Sequence, residues 1–186
     1  ILGAGNVAET LVSAYSSQFP DLKFSIWSRR KASAEKFVKS LGDKADLGVA
    51  GDLPAAVEAA DIVASATMST EPLIKGEWLR AGQHLDLIGA YRPDMREADD
   101  KALQRASIFV DSRDTTLPHI GELLVPLKTG AIRAKDILAD YYDIKDGLFE
   151  RSSAEEITLF KNGGGAHMDL MTAKAILQIW AAAQQG

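Results

Sequence analysis

The chain has no cysteine among its 186 residues. That excludes disulfides, thiol catalysis and cysteine metal sites, and it suits a reducing compartment. It also lacks a basic block: 21 Lys+Arg stand against 26 Asp+Glu, a net charge of −5. A nucleic-acid or anionic-membrane surface therefore has no support, and small-molecule partners are expected. No run approaches the roughly 18–20 apolar residues needed to span a bilayer. No signal-peptide pattern is visible, so a cytoplasmic location is expected. His84, His119 and His167 show no metal-ligand spacing, and no metal site is expected. Repeats, low-complexity tracts and long linkers are missing too, so the 46% hydrophobic content points to one compact globular domain.

What is present begins at once. Gly3-Ala4-Gly5-Asn6-Val7-Ala8 reads as a G-x-G-x-x-A dinucleotide-binding turn between a strand and a helix. Gly3 suits the tight turn, Gly5 lets a pyrophosphate approach the main chain, and Ala8 lets the helix pack on the strand. Ile1-Leu2 reads as the last two residues of that strand, whereas a central strand runs to about five. The expectation is that upstream polypeptide precedes them and holds part of any shared site.

The rest alternates strand and helix patterns, the sequence form of an α/β, Rossmann-type doubly wound parallel sheet. Val7, Leu11 and Tyr15 space a first helix that ends at Phe19-Pro20-Asp21. Phe24 to Trp27 is a second strand, and Arg30 to Leu41 a second helix, with Ala34, Phe37, Val38 and Leu41 inward and Gly42 as its stop. A weak strand at 47–49 and a short helix at 53–59, with Pro54 in its first turn, follow. Asp61 to Thr67, His84 to Ala90, and Ile108 to Asp111 read as buried strands. Helical and loop material then runs through Tyr142, followed by a strand at Thr158 to Lys161 and a turn at Gly163 to Gly165. A closing helix from Ala166 to about Ala183 is apolar on most sides and expects cover all round. The organisation expected is a nucleotide-binding domain over 1–165 and a helical extension over 166–186 that packs on an upstream domain or a second subunit.

Ligands of such sheets lie beyond the carboxyl ends of the strands. Ala66, Thr67 and Met68, and Ile88, Gly89 and Ala90, should thus face the same crevice as the glycine turn, unless the first of them is an ordinary loop. Gly89-Ala90 would leave a bare backbone for a cofactor ring. At the end of the second strand, NAD-selective enzymes place an acidic residue for the adenosine ribose. Here stand Ser28, Arg29 and Arg30, two guanidinium groups suited to a 2′-phosphate, or else a solvated basic start to a helix. The reading is NADPH, with NADH disfavoured. Arg92, Arg96, Asp94 and Glu97 read as a surface ion-pair cluster.

Four blocks carry a family resemblance: the glycine turn; Ala66 to Ser69 with Glu71-Pro72; Ile88 to Glu97; and Glu156 to Asn162. Together they resemble the ornithine cyclodeaminase and mu-crystallin family over essentially the whole chain. The resemblance implies an upstream substrate and dimerisation domain, a Rossmann domain, and a C-terminal helix that returns to the first domain, hence a homodimer through the upstream part. It implies that Asn162 and Gly163 join Ile88 to Ala90 in walling a nicotinamide, with Ala66, Thr67 and Met68 along the ribose and pyrophosphate, and that Lys161 lies near the cofactor. Ornithine cyclodeaminases carry an aspartate at the place of Tyr91, and an acidic residue near Ser28 to Arg30. Those departures, with Asn162 to His167, look more like the NADPH-using ketimine reductases, which reduce Δ1-pyrroline-2-carboxylate or Δ1-piperideine-2-carboxylate. On that reading the enzyme chiefly holds the nicotinamide against an already electrophilic imine carbon. Tyr91 is the catalytic candidate, as proton donor or imine-orienting hydroxyl, or else it only packs. The alternatives are an NAD-dependent ornithine cyclodeaminase and a non-catalytic NADPH- and ligand-binding protein. The resemblance places the substrate-binding cations upstream.

Overall fold

The computed structural model describes residues 1–19 and 21–184. Its elements alternate from the start: α1 (Asn6–Gln18), β1 (Lys23–Ile26), α2 (Lys31–Leu41), β2 (Asp46–Val49), α3 (Leu53–Ala59), β3 (Ile62–Ser65), β4 (His84–Leu87), α4 (Asp100–Arg105) and β5 (Ser107–Val110). Two further helices, α5 (Arg113–Thr116) and α6 (Gly121–Thr129), lead to β6 (Ile137–Ala139), β7 (Thr158–Lys161) and α7 (Ala166–Ala183).

All strand pairings are parallel. β1 pairs with β2, and the remaining five run in the order β3-β4-β7-β5-β6. Leu2 joins the two sets by bridging Trp27 on one side and Ser65 on the other. Its amide donates to Ala64 O at 2.8 Å and its carbonyl accepts from Ala66 N at 2.8 Å. The strand feeding the glycine turn therefore lies between the two sets, and connections leave it in opposite directions. Between β1 and β3, at their N-terminal ends, lies a cavity of about 470 Å³ lined by Ile1, Tyr15, Ser25, Ile62 and Ala64. It opens at the opposite end of the sheet from the glycine turn.

The expected elements form where the periodicity placed them, and their ends have local causes. Asp52 caps α3 by accepting from Ala55 N at 3.0 Å. Gly42 ends α2 with φ +55°. The Phe19 amide closes α1 on Tyr15 O, while Pro20 lies outside the described residues. Two expectations are corrected. Val7 is exposed, and α1 instead buries Ala8, Leu11 and Val12, because the helix turns its second residue away from the sheet. The region after β5 also contains a strand, β6, too short at three residues to carry a readable alternation.

β7 inserts between β4 and β5, in register with both: Leu87 and Val110 each pair with Lys161. One sheet face carries the main core, including Val63, Leu85, Leu87, Ile108, Val110 and Leu159. Strand alternation turns His84, Asp86, Phe109 and Phe160 to the other face. There Phe109, Phe149, Phe160 and Tyr141 pack with ring centroids 5.0–5.8 Å apart. Of the α7 helix, His167 in the first turn reaches this cluster at Tyr141, but no described residue of the helix is buried, and Ile176, Leu177, Ile179 and Trp180 are all exposed. Among the described residues no helix is long and apolar enough to cross a membrane.

Candidate nucleotide-binding site

The glycine turn sits where Leu2 leaves the sheet. Gly3 has φ +119°, and a Cβ there would stand 2.8 Å from Ala66 O, so only glycine fits against the neighbouring strand end. Gly5 is the N-cap of α1 and places no side chain over its amides. A Cβ on Gly5 would meet nothing within 4 Å, which leaves open space in front of the first helical turn. Those amides have no intrahelical partners, and the helix dipole favours an anion there. Asn6 and Val7 are exposed beside this space, and Ala8 is buried against the sheet, as its role in helix–strand packing requires.

The end of β1 lies next to the turn, because Gly3 N donates to Trp27 O at 2.9 Å. Ser28, Arg29 and Arg30 follow directly. Both arginines are exposed, and among the described residues no carboxylate lies within ion-pairing distance of either. Arg30 is the N-cap of α2 without a side-chain cap bond, and the first turn holds no acidic residue. The end of this helix is thus uncompensated positive charge.

On the other side of the turn, Ala66–Met68 after β3, Ile88–Ala90 after β4, and Asn162–Gly163 after β7 occupy the carboxyl ends of adjacent strands. The structure brings the three expected loops together and shows what joins them. Glu97, read above as part of a surface cluster, has 0% exposure. Its Oε1 accepts from Ser65 Oγ (2.6 Å), Thr67 N (2.8 Å) and Thr67 Oγ1 (2.8 Å), and its Oε2 from Gly89 N (2.7 Å) and Ala90 N (3.1 Å). Five donors converge on one carboxylate, which offsets the cost of removing it from water. Its own amide donates to the buried Glu122 Oε2 at 2.6 Å, and the Ala98 amide donates to Glu122 Oε1 at 3.0 Å. Burial pushes the Glu122 carboxyl up to about 7. Arg92 and Asp94 do form the exposed ion pair that was expected, while Arg96 pairs with Asp100 at 2.7 Å.

The role of Gly89 changes accordingly. A Cβ there would overlap the Thr67 backbone and stand 2.6 Å from Glu97 Oε1, so glycine is needed to let two protein loops meet. Ala90 is fully buried with Met95 and Ile120, and its N–H is taken by Glu97. Thr67 and Ile88 are partly exposed, Met68 is 73% exposed and Tyr91 is 57% exposed. The Tyr91 hydroxyl has no hydrogen-bond partner among the described residues.

The third loop is held in the same way. Asp111, at the end of β5, accepts from Ser112 N (2.8 Å) and Thr116 Oγ1 (2.7 Å) through Oδ1, and from Gly164 N (2.9 Å) through Oδ2. Asn162 Oδ1 also accepts from Gly164 N, at 2.8 Å, so its side chain shapes the turn. A Cβ on Gly163 would stand 2.6 Å from Thr116 Oγ1. Lys161 is fully buried and donates to Leu87 O at 2.9 Å; burial pushes its ammonium down, against the pull of Glu97, Glu122, Asp111 and Asp86. His167 packs on Tyr141 and Tyr142, and its buried Nε2 has no partner among the described residues. His84 is structural, its Nδ1 lying 2.8 Å from Thr158 Oγ1. Among the described residues no cluster of three His, Asp or Glu could hold a metal.

Sequence reasoning missed Glu97, Glu122, Asp111 and Thr116. None carries a local signal, because an acid that accepts backbone amides across loops looks in sequence like one on the surface.

Comparison with known proteins agrees with this arrangement. The family model described as Ornithine cyclodeaminase/mu-crystallin family matches residues 1–184. The chain is 53% identical over 184 residues to a Delta(1)-pyrroline-2-carboxylate reductase of Paracoccus denitrificans, covering 97% of this chain and 58% of that protein. It is 36% identical over 180 residues to the ketimine reductase mu-crystallin of Rattus norvegicus, covering 97% and 54%. Among solved structures, the Thermococcus litoralis Delta(1)-pyrroline-2-carboxylate reductase in complex with NADH and L-proline superposes with a TM-score of 0.86 at 31% identity, covering 93% and 55%. The chain thus spans a little over half the length of these relatives. With the family model matched over residues 1–184 and a relative 53% identical across 97% of this chain, the chain belongs to the ornithine cyclodeaminase/mu-crystallin family.

Proposed function

We propose that this chain is the nucleotide-binding domain of an NADPH-dependent reductase of small cyclic imino acids, Δ1-pyrroline-2-carboxylate or Δ1-piperideine-2-carboxylate. The observation that carries the cofactor half of this reading is the uncapped α1 N-terminus at Gly5, with open space before it and unpaired Arg29 and Arg30 on the adjacent strand end. The residues present fit a dinucleotide. The α1 amides would take the pyrophosphate, Ser28, Arg29 and Arg30 the 2′-phosphate, and the backbones of Thr67, Ile88–Ala90 and Asn162–Gly163 the ribose and nicotinamide. The 53% identity to a pyrroline-carboxylate reductase supports the reaction class.

When bound, the reduced nicotinamide supplies a hydride to the carbon of a protonated imine, giving the secondary amine. The chain's own task is to orient that ring, and the loops that would do so are tied down by hydrogen bonds to Glu97 and Asp111. Tyr91, exposed after β4, would meet the substrate through its hydroxyl. The apolar faces of α7 would be covered by a second domain or a dimer partner, which divides the chain into 1–165 and 166–186. The cysteine-free composition suits a cytoplasmic location.

NADH has an argument of its own, since the Thermococcus relative was solved with it. Cofactor oxidation by full-length protein with each cyclic imino acid, run with NADPH and with NADH, decides between them. Faster turnover with NADPH is the expected result. Equal or better use of NADH overturns the arginine argument. Ammonia release from ornithine without added reduced cofactor would overturn the reductase reading in favour of a cyclodeaminase, and tight NADPH binding without turnover on any imine would favour a binding protein.

A further inference from the structure

The geometry points to Glu97 as a positioning residue that sets where the nicotinamide end of the cofactor lies, an inference that rests on the reductase reading above. One buried carboxylate ties the loop after β3 to the loop after β4: Thr67 N on one oxygen, Gly89 N and Ala90 N on the other. These two loops flank the crevice beside the glycine turn, and Gly89 is a glycine because they touch. Glu97 does not face the open space itself. Its backbone is fixed from behind by Glu122, which leaves the carboxylate little freedom to swing. The adenosine side, built from Gly5 and Ser28 to Arg30, has no bond to Glu97. Losing the carboxylate should therefore act on the reacting end of the cofactor and spare the other.

Substitution separates the two oxygens. In Glu97→Gln the amide oxygen can accept from Gly89 N and Ala90 N. Its NH2 then donates to the Ser65 and Thr67 hydroxyls, which can reverse direction, and only the Thr67 N–H is stranded. In Glu97→Leu all three N–H groups lose their acceptor. In full-length protein, kcat for NADPH-dependent imine reduction is expected to fall about 10-fold in the first variant and about 100-fold in the second. The dissociation constant for 2′,5′-ADP, a probe of the adenosine side alone, should change less than about twofold in the Gln variant. Amide hydrogen exchange should quicken at Thr67 alone in Glu97→Gln, and at Thr67, Gly89 and Ala90 in Glu97→Leu. Wild-type kcat with undisturbed exchange in either variant overturns the inference, and so does an equal loss of 2′,5′-ADP affinity in Glu97→Gln. If the wild type oxidises no NADPH with any imine, the function reading fails by itself; exchange and the 2′,5′-ADP control then still decide whether Glu97 holds the loops.

Discussion

Two glycines of the crevice should respond in opposite ways to the same added methyl. A Cβ on Gly89 overlaps the Thr67 backbone and crowds Glu97 Oε1 at 2.6 Å, so the loops after β3 and β4 must part. Overpacking of this kind costs about 1–3 kcal/mol. Pulling Gly89 N or Ala90 N off Glu97 strands a donor at about 1–3 kcal/mol more. A total near 4 kcal/mol, at roughly 2–4 °C per kcal/mol for a domain of this size, lowers Tm by about 8–16 °C. Gly5 has φ −114°, which any residue adopts, and nothing within 4 Å of the added methyl. Gly5→Ala should cost only about 0.5 kcal/mol, through the poorer cap. It would instead fill the space held for a pyrophosphate and weaken cofactor binding at least about 10-fold, or 1.4 kcal/mol. Thermal unfolding by circular dichroism and cofactor titration, both on full-length protein, read the two effects separately. A Gly89→Ala variant that melts with the wild type, or a Gly5→Ala variant that loses as much stability as Gly89→Ala, would refute the assignment of the two glycines.

Arg29→Ala with Arg30→Ala should weaken NADPH binding by about 10- to 100-fold, the worth of one or two charge-assisted bonds, and leave NADH affinity nearly unchanged. Parallel loss for both cofactors in a titration at fixed salt would remove the arginines from the 2′-phosphate. Glu122 has a folded pKa near 7, above its ordinary 4.5, so the folded state holds a proton that the unfolded state releases between those values. Stability should therefore fall as pH rises from about 4.5 to 7, by about 3 kcal/mol at most. Urea unfolding at pH 5 and pH 8 measures the difference, and Glu122→Gln should flatten it; an unchanged slope in the variant would place the titration elsewhere.

Much of this molecule was legible without its tertiary structure because the signals were local. The helical spacing of Ala34, Phe37 and Leu41, the proline in the first turn of the helix at 53–59, and the G-x-G-x-x-A turn each depend on neighbours within a few residues, and each formed as read. The apolar run at 62–65 became a buried strand because a strand covered on both faces needs no alternation, while 84–87 formed with alternating burial, Leu85 and Leu87 inward. Their carboxyl ends had to share a side of the sheet once the strands were parallel, and so the crevice loops could be named.

What the sequence determined by itself was therefore the list of elements apart from β6, the turn and the residues beyond the strand ends. Only the tertiary structure decided what lies between them. β7, late in the chain, enters between β4 and β5 and so buries Lys161 in the middle of the sheet. Glu97 turns from a surface-like acid into the acceptor of five bonds, and Gly89 from a bare approach for a ligand into a contact between loops. The physical reason is the same in each case. A buried charge is tolerated only where donors converge, and the donors on Glu97 come from residues as much as 32 positions away in the chain. Convergence over that distance is a property of the folded sheet, and no local pattern encodes it.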